Sequence, residues 1–445
     1  MAVDPVGRST HCCSPRNPLR IVARAENAVL KKKVEELSAR VKVLTVENES
    51  LKAEVEIYRA EAALPNFSNL ALGKSDSAMD EDADTNNMAD DFVRAGDGVY
   101  AKENEFTFRN VQDSANPLCC VLSPDDVMLA VGGANGRLAL CPWGAVYGAS
   151  ETPESVVAKA VQLELGAPVI SCAFAHSLRG VLAAGCMDGS VHLIHYQSLH
   201  GGKIEAKLLS LPKAQHHRKY VRTVAWSPTS SLFASSSADG TIRIHKVDLQ
   251  GGMVDDDVEL EAVPVTSLHL EGAVEAMVFS KEFLICYNRG TPHLSYFEVS
   301  ENFKQTKINL NAGETGTANH SDHVSYTIMD LAIFDDKYLA AATDASRIIV
   351  MDLRTGKQIR NLYGHQNDEY SQPKLAWSSN GAYIYGNSQH ESVLYVWDVA
   401  SSQMVQKLEG HGQPIRTIHS SNSDNLVVTS GFDKDVKFWF APQSQ

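Results

Sequence analysis

The 445-residue chain lacks the short signatures that mark most enzymes and metal proteins. It has no HExxH pair, no GxSxG elbow and no Gly-rich phosphate loop, so an enzyme reading has little support and no cofactor is indicated. None of its eight cysteines forms a CxxC pair, which argues against zinc-ribbon and thioredoxin-like readings and leaves inert, free thiols as the expectation. No run approaches the ~18 consecutive apolar residues of a membrane helix, so a soluble chain without a membrane span is expected. Basic charge is also short. Forty Lys and Arg face 54 Asp and Glu, and a net charge of −14 argues against direct nucleic-acid binding through a basic face.

What is present begins with a heptad pattern. Over "ENAVLKKKVEELSARVKVLTVENESLKAEVEIYR", Val34, Val41, Asn48 and Val55 occupy a sites, and Leu30, Leu37, Leu44 and Leu51 occupy d sites. β-Branched a residues with leucine at d predict a parallel two-stranded coiled coil over 26–59. Asn48 would pair with its counterpart across the dimer, penalising slipped or higher-order forms at a cost in stability. Oppositely charged g and e residues (Glu26 with Lys31, Glu47 with Lys52, Glu54 with Arg59) point to a homodimer. A DNA-binding zipper needs a continuous basic helix just ahead, and Pro15 and Pro18 interrupt that stretch.

The segments flanking the zipper differ in charge. Residues 1–25 hold four arginines and one acidic residue, and they read as a disordered basic tail rather than an organellar targeting peptide. Between Lys74 and Arg94 stand seven acidic residues and no basic one, which predicts a flexible acidic linker over 60–104.

Beyond the linker one phrase recurs seven times. Each copy has an apolar strand, a small-residue strand, a tight turn and a third strand, as in "VRTVAWSPTSSLFASSSADGTIRIH" and "TIHSSNSDNLVVTSGFDKDVKFW". The copies end at Cys141, Ile194, His245, Phe297, Met351, Trp397 and Trp439, a spacing that suits four-stranded propeller blades. Trp397-Asp398, Gly364-His365 and Gly410-His411 complete a pattern that resembles the WD40-repeat family over 105–442. The resemblance implies an all-β fold: a seven-bladed WD40-type β-propeller, preceded here by the coiled-coil helix and the acidic linker. The array stops on a third strand, so "ENEFTFRNVQD" is expected to pair beside Asp435–Phe440 and latch the ring.

His411, Thr429, Asp433 and Trp439 supply the imidazole, hydroxyl and carboxylate of a hydrolytic triad, together with an indole. The resemblance assigns these four to a structural tetrad instead. The third repeat keeps three of them at the same spacing, His217, Ser235 and Asp239, with His245 in place of Trp. The fifth keeps His323, the second keeps Asp188 and the first has Asn135. A catalytic group is built once, whereas a brace is built once per blade, so no catalytic, cofactor-binding or metal-binding residue is expected.

The remaining expectation is a binding surface. The family uses the face made by loops entering the first strands. There, "KAQHHRKYVR" presents Lys213, Arg218, Lys219, Tyr220 and Arg222, with Gln413 and Arg416 at comparable positions in the last repeat. The reading is a homodimeric scaffold for partner proteins or peptide segments, cytoplasmic or nuclear. Coil-before-propeller order also resembles Groucho/Tup-type transcriptional corepressors, and a substrate-receptor subunit of a ubiquitin ligase or similar complex is a further alternative.

Overall fold

The computed structural model describes residues 99–147, 151–198, 203–250, 259–310, 326–368, 370–421 and 426–441, together with Lys31 and Lys42. The chain divides into two units, Met1–Asp80 and Glu81–Gln445. In the first, Lys31 and Lys42 are helical and exposed. The rest of the expected basic tail, the zipper and the acidic linker up to residue 98 lie outside the described residues, as does His323.

The second unit is a seven-bladed β-propeller. Seven four-stranded antiparallel sheets follow one another, and each inner strand touches the inner strand of the next sheet until the seventh meets the first. The inner strands are Pro117–Leu122, Val169–Phe174, Val221–Trp226, Val274–Phe279, Ile328–Phe334, Leu375–Trp377 and Ile415–Ser420. Blades are numbered one to seven in that order. The upper face is the one on which inner strands begin and on which second strands turn into third strands.

The core lies between the blades, not at a single centre. Seven buried clusters occupy the seven interfaces, one each. Second strands such as "VLAAGC", "YLAAAT" and "LVVTSG" are buried along their whole length because both faces meet neighbouring blades. Their small residues set how closely the blades approach. A Cβ on Gly132 in blade one would sit 2.7 Å from the Val169 side chain of blade two.

Closure takes the form expected from the sequence. Glu103–Arg109 pairs antiparallel with Asp435–Phe440, so blade seven takes its outer strand from ahead of blade one. The ordered path starts slightly before 105: Ala101 is buried, and the Lys102 N–H donates to the Phe440 carbonyl at 2.8 Å. Phe108 is fully buried against Phe438, on which Trp143 stacks at 4.9 Å.

One excursion departs from the strand pattern. Between the third and fourth strands of blade one run two short helices, Gly144–Tyr147 and Pro153–Ala158. Thr152 caps the second by accepting from the Ser155 N–H, and Pro153 occupies its first turn, where no backbone donor is needed. Val146 and Val156 from this excursion are buried at the seam between blades seven and one.

Because the seam depends on this strand, Phe108→Ala should cost about 3–5 kcal/mol, the range for emptying a buried phenylalanine site. Denaturant unfolding at equilibrium measures the loss.

Candidate functional site

In blade seven the polar groups form one chain of hydrogen bonds. His411 Nδ1 lies 2.9 Å from Asp433 Oδ2, and its Nε2 lies 2.7 Å from Thr429 Oγ1. The Trp439 indole N–H donates to the same hydroxyl oxygen at 2.8 Å. Every group is satisfied when Nδ1–H donates to the carboxylate and Nε2 accepts from the hydroxyl. Burial alone would raise the Asp433 pKa, but hydrogen bonds from His411 and from the N–H groups of Gly412 and Asp435 outweigh it and hold it below the usual carboxylate range. Loop, second strand, turn and third strand are thereby tied together.

Blade three reaches a similar end by a different route. His217 Nε2 meets Ser235 Oγ at 2.8 Å, but Asp239 Oδ1 stands 3.7 Å from Nδ1. The Thr241 hydroxyl fills the gap, 2.7 Å from His217 Nδ1 and donating to Asp239 at 2.6 Å. His245 has no indole N–H to offer and instead stacks on Phe233, 4.9 Å between ring centres. Blade two uses Ser190 in the position of Thr241: its hydroxyl donates to Asp188 at 2.6 Å and lies 3.1 Å from His192. Sequence reasoning missed Thr241 and Ser190. The signal was the repeated "DGS" and "DGT", in which a hydroxyl follows the turn aspartate.

Other blades substitute different chemistry. In blade one, Asn135 donates to the Gln112 carbonyl at 3.3 Å, and the Gln112 amide donates to the Val131 carbonyl at 2.6 Å. In blade six the Trp397 indole donates to the Tyr363 carbonyl at 2.7 Å, bypassing His365. Among the described residues no group of three or more His, Cys, Asp or Glu is arranged to hold a metal ion, and no helix is long and apolar enough to cross a membrane.

The surface candidates separate into two groups. Lys213, Arg218, Lys219 and Gln413 are exposed, and Tyr220 is half-buried beside them. Arg222 is engaged internally: it pairs with buried Glu275, which also accepts from Arg289 at 2.8 Å, and lies 5.2 Å from the Tyr220 ring. Arg416 is half-buried, 5.6 Å from the Phe432 ring. Exposed Met187 and Phe432, which immediately precede the turn aspartates of blades two and seven, were missed from the sequence. Tyr370, 80% exposed in the loop entering blade six, was missed as well.

On the opposite face a cavity of about 210 Å³ is lined by Phe174, Trp226, Phe279, His176 and His419. Burial, with a smaller contribution from His176, holds His419 down at about 4.

Seven four-stranded blades, three of them braced through imidazole, hydroxyl and carboxylate, define a repeat-type propeller. The family model for the WD domain, G-beta repeat, matches residues 209–246 and 402–439, which are blades three and seven. Blades three and seven are thus WD40 repeats, and the chain is a WD-repeat propeller by these repeats and its seven four-stranded sheets. It is 26% identical to human Striatin-4 over 229 residues, 50% of this chain and 28% of that protein. It is 25% identical to a Dictyostelium discoideum WD repeat domain-containing protein 83 homolog over 114 residues, 25% of this chain and 34% of the relative. A third relative, the probable cytosolic iron-sulfur protein assembly protein 1 of Candida glabrata, is 33% identical over 108 residues, 24% of this chain and 29% of that protein. Each match therefore covers about a third or less of the relative's own length.

Two outcomes follow from the braces. Asp433→Ala leaves a buried imidazole without its acceptor and should cost about 1–3 kcal/mol, read from urea unfolding. Burial also holds His217, His245 and His365 at about 4, below the ordinary value of 6.5. Unfolding releases them to their ordinary value, so the unfolded chain binds more protons between pH 6.5 and 4. Stability is then full above pH 6.5 and falls as pH drops toward 4. His245→Phe keeps the ring against Phe233 and removes one titrating group, so the slope of stability against pH over that window should decrease.

Proposed function

We propose that this chain is a non-enzymatic scaffold whose propeller receives partner proteins on its upper face and whose zipper pairs two copies. The observation that carries the reading is the composition of that face. Met187, Tyr370 and Phe432 stand exposed there, with Lys219 and half-buried Tyr220 in the loop entering blade three. Aromatic, methionine and basic side chains of this kind make interface anchors. In blades three and seven the hydroxyls and imidazoles are meanwhile spent on bracing, which removes the best candidates for a nucleophile and base.

Pairing through Leu30, Val34, Leu37, Val41, Leu44, Asn48, Leu51 and Val55 would present two such faces. A repeated or paired partner is then held with avidity and no new contact. The six described cysteines are free thiols, which suits a reducing cytoplasmic or nuclear setting.

The experiment compares partners captured by the full-length protein, by Tyr220→Ala with Lys219→Ala, and by Leu37→Asp with Leu44→Asp. The upper-face variant should lose partners while remaining dimeric by sedimentation. The coil variant should become monomeric and keep partners at reduced retention. An upper-face variant that captures the same set in the same amounts overturns the reading.

A further inference from the structure

The inner strands share an irregularity. In six of the seven blades the register with the second strand slips at the upper end, skipping Leu118, Ile170, Arg222, Glu275, Met329 and Arg416. In blade six Lys374 stands just ahead of Leu375 in the same place. A bulge releases one residue from the ladder and re-aims its side chain. Repeated around the ring, it gathers these residues at the upper mouth of the channel. Charge accounting there is uneven. Four cations, Arg222, Arg289, Lys374 and Arg416, face the carboxylates Glu275 and Asp330, and Asp344 also acts on Arg289, so cations still outnumber carboxylates in a chain of formal charge −14.

The carboxylates are already committed. Glu275 holds Arg222 and Arg289, and Asp330 accepts from Lys374 at 3.2 Å and from the Leu375 N–H at 3.1 Å. No carboxylate among the described residues is bonded to Arg416, whose guanidinium lies 5.6 Å from the Phe432 ring. Burial and the nearby Arg222 charge hold its pKa below the usual guanidinium range. A cation withdrawn from water without a counterion is costly, and the cost is recovered when an anion arrives.

We propose that Arg416 is the anion-recognition residue of the upper mouth, where it receives a side-chain carboxylate from an acidic segment of a protein ligand. The assignment rests on the scaffold reading and narrows it. A single free guanidinium matches one carboxylate in bidentate geometry. A phosphate dianion would call for a second free cation, and Arg222 is already neutralised by Glu275. Exposed Met187 and Phe432 add apolar contact, so the fitting segment mixes acidic and apolar residues.

The test uses full-length protein and fluorescein-labelled octaglutamate, with octaglutamine as the uncharged control, read by anisotropy at low ionic strength. The wild type should bind octaglutamate and not octaglutamine. Arg416→Gln should weaken binding about tenfold or more, the scale of one charge-assisted bidentate contact. Arg416→Lys should fall between them. Because the charge lacks an internal partner, Arg416→Gln should melt at the wild-type temperature or above; a clear drop would make Arg416 a structural residue and overturn the proposal. Octaglutamate affinity unchanged by Arg416→Gln overturns it too, as does an Arg416-dependent preference for a phosphoserine peptide over octaglutamate. If Tyr220→Ala with Lys219→Ala loses cellular partners while Arg416→Gln keeps both partners and octaglutamate, the scaffold reading stands and the anion assignment falls.

Discussion

A ring of sheets needs its last blade held to its first, and here the pairing of Glu103–Arg109 with Asp435–Phe440 latches that seam. Without it, blade seven would end on a third strand with an unpaired edge and the seam would lose the buried Phe108. Phe108, Phe438, Phe440 and Trp143 fill the seam, and the helical excursion of blade one covers it with Val146 and Val156. The other six interfaces rely on it indirectly. Each apolar cluster lies between two blades, so opening the ring exposes both faces of the seam.

Within the blades, the parts of a hydrolytic triad serve as mortar. In blade seven the imidazole sits between carboxylate and hydroxyl, and the indole closes the chain. Blades two and three insert a hydroxyl beside the turn aspartate, which tolerates a histidine that does not reach it directly. Satisfaction of buried polar groups is the common requirement, and several residue sets meet it. This explains why the family pattern decays in blades one and six while the four-stranded sheets persist.

The same architecture creates the binding face. Bracing consumes the imidazoles and turn aspartates of blades two, three and seven, and bulges in six of the seven blades each release one residue to the channel mouth. Exposed at the top are Met187, Tyr370 and Phe432, with Arg218 and Lys219 in the loop entering blade three. Arg222 and Arg416 occupy equivalent positions in their strands, yet one is neutralised and the other is not. The difference is the neighbouring blade, which supplies Glu275 to Arg222 and no carboxylate to Arg416.

Much of this was legible in the chain itself. Seven copies of one strand pattern, the matching spacing in blades three and seven, and the alternating "ENEFTF" ahead of the first copy determined the blade count, the braces and the seam strand. Those features are written in local periodicity and repeated at fixed intervals, so they survive the decay of individual motifs. Thr241 and Ser190 as bridges, Gln112 and Asn135 as stand-ins, and the engagement of Arg222 were decided only in three dimensions. Each depends on which side chain a neighbouring strand or blade brings within hydrogen-bond reach. Exposure of Met187 and Phe432 belongs to the same group, because an apolar residue before a turn reads alike whether it is buried or presented to a partner. Local pattern specifies the element a residue joins, and packing between elements determines what remains free to act.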